Sequence, residues 1–192
     1  MSSRSVVRRD DATLLVIDEQ TRLAEVMQRR EAVVSATERL VRTAALVGMP
    51  VVVTRQYPKG LGDTDARVEA AVVDVEAAGR TVVRLDKVAF DCFGDAGFVH
   101  GLAKLERRQL VIAGMETHIC VTQTALSALR DEFDVHVAAD ACCSRRAGDH
   151  DLALARLRAA GAVVSGSESV MYELVGEAGT DEFRALLAIV KG

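Results

Sequence analysis

Six short runs of apolar and β-favouring residues, set apart by longer stretches, restrict what this chain can fold into more than any other feature. They are Thr13–Ile17, Val51–Thr54, Thr81–Leu85, Leu110–Ala113, Val135–Ala139 and Ala162–Val164. Apolar residues that follow one another without a polar alternate belong to strands covered on both faces. The segment Glu31–Val47 carries Val33, Val34, Leu40, Val41, Ala44 and Val47 as a helical stripe, and Gly48 and Pro50 stop it. Further helices are predicted over Gly97–Leu105, Ile119–Glu132, Asp149–Ala160 and Asp181–Val190, and the stretch Gln56–Asp65 reads as a turn-rich loop. Strands alternating with helices through right-handed crossovers give an α/β chain, a three-layer αβα sandwich around a six-stranded, mostly parallel sheet. No Pro- or Ser-rich linker and no internal repeat interrupts the 192 residues, so residues 1–192 read as a single domain.

Composition removes several classes of function. The net charge is −4, and basic pairs such as Arg107-Arg108 and Arg145-Arg146 are short and scattered. Neither nucleic acid nor an acidic membrane surface is expected as a partner. No apolar run reaches membrane-spanning length, and Met1–Arg9 lacks the hydrophobic centre of a signal peptide. Cys92, Cys120, Cys142 and Cys143 show neither CxxC nor zinc-ribbon spacing. A reduced, cytoplasmic protein is the simplest account.

In a parallel sheet the working residues gather beyond the carboxyl ends of the strands. Asp18 ends the first run and Lys87 follows the third. Cys120 sits in Gly114-Met115-Glu116-Thr117-His118-Ile119-Cys120, just after the fourth. Thr117 is a plausible N-cap, which places Cys120 in the first turn of a helix, where the dipole and unpaired N–H groups favour a thiolate. Each residue also has a plain reading: a free cysteine as a small buried hydrophobe, Asp18 as a turn cap, Lys87 as a surface cation. Yet the chain holds 20 arginines and only four lysines, so an ammonium at position 87 is not interchangeable positive charge. A carboxylate that takes the thiol proton and an ammonium that steadies the ion pair make a chemically complete set.

Three segments carry a family resemblance. Leu14-Leu15-Val16-Ile17-Asp18-Glu19-Gln20, Lys87-Val88-Ala89-Phe90-Asp91-Cys92-Phe93 and Ala113–Val121 resemble the three blocks of the isochorismatase-like cysteine hydrolase superfamily. Thr54–Gly62 and Val135–Arg145 are most similar to the isochorismatase domain-containing branch. The resemblance implies that Asp18 is the general base, Lys87 the cation of the triad and Cys120 the nucleophile. It also implies a non-proline cis peptide at Met115–Glu116, with the N–H groups of Glu116 and Cys120 forming an oxyanion hole. The implied activity is hydrolysis of a small amide, ureide or related C–N substrate through a thioester, with a small molecule as the only partner besides other copies in a homo-oligomer.

Departures from other branches sharpen this. Nicotinamidases bind a metal with an aspartate and histidines after the second strand, where this chain has Gln56-Tyr57-Pro58-Lys59. His100, His118, His136 and His150 are dispersed, so no metal and no cofactor is expected. Isochorismatases proper lack the cysteine, whereas Cys120 favours acyl chemistry. Glu19 stands where the family often has a hydrophobic residue. Gln20, Gln56, Tyr57, Phe90 and His118, with Leu23 and Phe93, are candidates to line the substrate cavity, although the aromatic rings serve equally well as packing. Gly60-Leu61-Gly62 lacks the context of a phosphate loop and reads as a flexible lid. Ser167–Leu174 reads as a helix used in subunit contact. Two other readings stay open: a thiol redox or sulfur-transfer protein using Cys120, with Cys92, Cys142 or Cys143 as the resolving thiol, and a non-catalytic binding module on the same fold.

Overall fold

The computed structural model describes residues 6–191. Its strands are β1 (Ala12–Ile17), β2 (Val51–Gln56), β3 (Val82–Lys87), β4 (Gln109–Met115), β5 (Asp134–Cys143) and β6 (Val163–Ser165). They form one sheet in the order β3-β2-β1-β4-β5-β6, parallel at every pairing. The reversal of direction on either side of β1 puts the β1/β4 crevice at the switch point, where an open parallel sheet places its ligands.

Successive residues of β1 point to opposite layers. Leu14 and Val16 pack with Val34, Leu40 and Val41 of α2 (Arg30–Val47), Val68 and Val72 of α4 (Ala66–Ala77), Met171 of α8 (Ser167–Val175) and Leu186 of α9 (Asp181–Lys191). Leu15 and Ile17 pack with Phe98 and Leu102 of α5 (Ala96–Ala103), Ala125 and Ala128 of α6 (Thr122–Arg130), and Leu157 of α7 (Ala147–Ala159). Burying each of these large aliphatic side chains contributes about 1.5–3 kcal/mol, which is why strands apolar on both faces demand two helical layers. The αβα sandwich follows, with the one-turn helix α1 (Thr21–Ala24) coming between β1 and α2 in the chain.

Local differences from the sequence expectations have physical causes. Residues 56–65 are not an open loop. They hold the one-turn helix α3 (Pro58–Leu61), and α4 follows with Asp65 as its N-cap, its Oδ1 accepting from the Arg67 N–H at 3.1 Å. Val68, Ala71, Val72 and Val75, all buried, form the apolar stripe of α4, a helical period that the sequence expectations leave out. The strand expected at Val135–Ala139 runs on to Cys143, because Ile112 pairs with Val137 while Gly114 pairs with Cys142. The bulge so formed carries Asp140, whose oxygens accept from the Ser167 N–H and Oγ, both at 2.6 Å, and so cap α8. Among the described residues no helix is long and apolar enough to cross a membrane.

Candidate active site

Asp18 is the first residue after β1, and its backbone turns there with φ +52°. Its N–H donates to the Thr54 carbonyl at 3.1 Å, and its Oδ1 accepts from Thr54 Oγ1 at 2.8 Å. These two bonds to the end of β2 fix the carboxylate. Lys87 closes β3 in register with Gln56. Its Nζ donates to Asp18 Oδ2 at 2.6 Å, Gln56 Oε1 at 2.8 Å and the Ala89 carbonyl at 3.2 Å, with the Phe90 carbonyl at 3.5 Å. Three protons thus meet three close acceptors. Such saturation is what makes a buried ammonium tolerable, since an ion pair alone does not repay its desolvation.

Cys120 arrives from β4. The segment Thr117–Val121 is a π-type turn leading into α6, with Glu116 at its N-terminal flank. The expectation that Thr117 caps this helix is not met. Its hydroxyl is hydrogen-bonded to His150 Nδ1 at 2.9 Å and makes no cap, while its carbonyl accepts from Thr122 Oγ1 at 2.6 Å. Cys120 is 5% exposed. Its thiol lies within electrostatic reach of both Asp18 and Lys87. The expected low thiol pKa is also reversed. Burial pushes the thiol well above its ordinary value, the Asp18 charge adds to this, and Lys87 offsets it only in part. At rest the sulfur keeps its proton, with the carboxylate nearby to receive it.

A second thiol belongs to this cluster. Cys92, fully buried, feels Lys87 and Asp18 and lies near the hydroxyls of Thr124 and Thr54; burial pushes its pKa up to about 12. Its N–H donates to Thr124 Oγ1 at 3.0 Å. Nothing in its spacing marked it for the site, because its place depends on how the segment after β3 folds over α6.

The other candidates fall into different roles. Gln20 is fully buried and its amide is spent on backbone: Oε1 accepts from the Gln56 N–H at 2.7 Å, and Nε2 donates to the carbonyls of Gly62 and Gln56 at 2.7 and 3.1 Å. Together with Arg22 Nη1 donating to the Gly60 carbonyl at 3.0 Å, this tethers the segment expected to be a free lid. Gln56 faces Lys87 and donates from Nε2 to the Val88 carbonyl at 2.7 Å. Tyr57 and Phe90 stand half exposed on the segments that flank Lys87. His118 Nδ1 is paired with Ser144 Oγ at 2.9 Å. The Met115–Glu116 peptide is cis. Glu116 Oε2 accepts from the N–H and Nε of Arg145 at 2.9 and 3.1 Å, which anchors the start of the turn to the end of β5. Among the described residues no group of three or more His, Cys, Asp and Glu side chains is arranged to hold a metal ion.

Asp18, Lys87 and Cys120 therefore converge from the carboxyl ends of β1, β3 and β4, and residues 12–169 match the isochorismatase domain. The chain belongs to the isochorismatase family. It is 36% identical over 180 residues to isochorismatase domain-containing protein 2 of Bos taurus, covering 93% of this chain and 82% of that protein. The structure of MAR1 ribonuclease from Caenorhabditis elegans superposes with a TM-score of 0.88 at 26% identity, covering 97% of this chain and 93% of that one. The YcaC gene product of Escherichia coli, described as an octameric hydrolase of unknown specificity, superposes with a TM-score of 0.87 at 23% identity, covering 98% and 92%. In this family's hydrolase fold the strand order reverses between β1 and β4, beside which Asp18 and Cys120 stand.

Proposed function

We propose that this protein is a cysteine hydrolase of a small amide, ureide or related C–N substrate, with Asp18, Lys87 and Cys120 as its catalytic groups. The observation that carries the reading is the buried ion pair of Lys87 with Asp18 at 2.6 Å, with the Cys120 thiol within electrostatic reach of both charges. A thiol whose pKa is raised does not attack as a standing thiolate. Its proton passes to Asp18 as sulfur adds to the carbonyl carbon, and the Lys87 ammonium stabilises the negative charge left behind. The N–H groups of Glu116 and Cys120 receive the oxyanion, a contribution of about 3–4 kcal/mol for one well-placed donor. Asp18 then gives its proton to the leaving nitrogen, and a water activated by the same carboxylate releases the acid from the thioester.

Residues 1–192 act in this reading as one domain within a homo-oligomer, as in the octamer formed by the structurally similar YcaC. The ribonuclease name of the C. elegans neighbour is not carried over. A net charge of −4 with scattered basic pairs supplies no phosphate-tracking stripe.

The test is a mass measurement after rapid quenching with a panel of small amides and ureides. An adduct of acyl mass on the Cys120 peptide, with ammonia or amine released, supports the proposal. Ammonia release undiminished in Cys120→Ala would end it.

A further inference from the structure

The charge around the sulfur constrains what the site can hold. The charges that act most strongly on Cys120 are those of Asp18 and Lys87, opposite in sign and bound to each other. Lys87 has no proton left for a ligand, since Asp18, Gln56 and the Ala89 carbonyl take all three. Three arginines carried by the surrounding segments are also engaged. Arg22 donates to the Gly60 carbonyl, Arg55 to Asp86 at 2.7 and 2.9 Å and to Asp63 at 2.7 Å, and Arg145 to Glu116. Lys59, on α3, is exposed. The side chains left open on the segments flanking Lys87 are apolar or aromatic: Val88 is 77% exposed, and Tyr57 and Phe90 are each 54% exposed.

From this arrangement we infer that the site selects substrates with no charge next to the reacting carbonyl, meaning small neutral amides and ureides rather than carboxylate-bearing ones. The inference rests on the cysteine-hydrolase reading above and names its substrate class. A carboxylate brought against Cys120 would shed its hydration and meet an ammonium already saturated by Asp18. An uncharged amide sheds far less water, and its carbonyl oxygen still finds the backbone N–H groups of the turn.

Two alkylating reagents of nearly equal size separate charge from everything else: iodoacetamide and iodoacetate. The rates of adduct formation on the Cys120 peptide are followed by mass spectrometry at pH 8, with free glutathione as reference and Cys120→Ser as blank. The expected result is an amide-to-carboxylate rate ratio at Cys120 exceeding that of glutathione by about tenfold or more, the scale of one uncompensated charge at a partly buried site. Lys59→Ala should leave the ratio unchanged. A ratio equal to that of glutathione, or one that depends on Lys59, overturns the charge selection and leaves the nucleophile assignment standing. Failure of Cys120 to react with either reagent, together with no acyl adduct on it after quenching with the amide and ureide panel, overturns both.

Discussion

Lys87 Nζ lies 2.6 Å from Asp18 Oδ2 with both side chains out of contact with water. Removing one member of such a pair strands the other as a bare charge in a low-dielectric setting, at a cost of about 3–5 kcal/mol. Lys87→Met should therefore lower stability by that order in urea unfolding. It should also slow iodoacetamide alkylation of Cys120, because the ammonium is the group that eases thiol ionisation. The double variant Asp18→Asn, Lys87→Met is expected to regain most of the stability and none of the activity. Additive losses in the double variant would show that the two groups are not energetically coupled.

Gly114 makes the approach of β4 to β1 possible. Its φ is +130°, and a Cβ there would fall 2.0 Å from the Ile17 carbonyl oxygen, a backbone atom that has no alternative place within the sheet. Gly114→Ala should cost at least about 3 kcal/mol or abolish folding, through overlap and an unfavourable backbone region together. Ile17 immediately precedes Asp18, so any folded fraction should lose activity as well. A Gly114→Ala protein with the melting temperature and turnover of the parent would refute this account.

The sheet and its two layers were legible because burial on both faces writes an unbroken apolar code. Leu14, Leu15, Val16 and Ile17 all go to zero exposure although they point alternately to opposite sides. Asp18, Lys87 and Cys120 were legible for a related reason. A polar residue at the end of such a run lies at the mouth of the sheet whatever the rest of the chain does. What could not be read is what depends on partners distant in sequence. Thr117 looked like a cap until His150, 33 residues away, took its hydroxyl. Gln20 looked like a substrate contact, but its amide is consumed by two stretches of backbone. The thiol pKa went the opposite way because burial outweighs the helix-end effect, and depth of burial is not a property of a local motif.

The Thr117–His150 bond is a prediction about precision rather than chemistry. It ties the turn that carries Cys120 to α7, and burial lowers the His150 pKa, which favours the neutral ring, with Arg29 adding to this against Asp151. Thr117→Val removes the hydroxyl from a buried contact and should cost about 1–3 kcal/mol of stability. Turnover should fall with little change in KM, since the turn is loosened and no proposed substrate contact is removed. A rise in KM with unchanged kcat would instead place Thr117 against the substrate.

Glu19 offers the sharpest pH test. It is enclosed between the sheet and α2, and neither carboxyl oxygen has a hydrogen-bond partner among the described residues. Burial pushes its pKa up to about 8; the nearby Thr37 hydroxyl offsets this in part without completing a hydrogen bond, and Asp65 adds to the rise. In the unfolded chain the same carboxyl ionises near its ordinary value of 4.5. Between those two values the folded protein holds a proton that the unfolded chain has released, so stability falls as pH rises from about 4.5 through about 8 and levels off above. The full effect is on the order of 5 kcal/mol by the usual conversion of pKa units to free energy. Glu19→Gln replaces the protonated acid with a neutral group of the same shape. The two proteins should therefore match near pH 4, below the unfolded carboxyl's ordinary value, and the variant should become progressively more stable toward pH 8.5. Taking the difference between them removes the opposing contributions of His136 and His150, whose lowered pKa values are common to both. A difference in unfolding free energy that stays flat across this range would mean that Glu19 does not titrate as a buried acid.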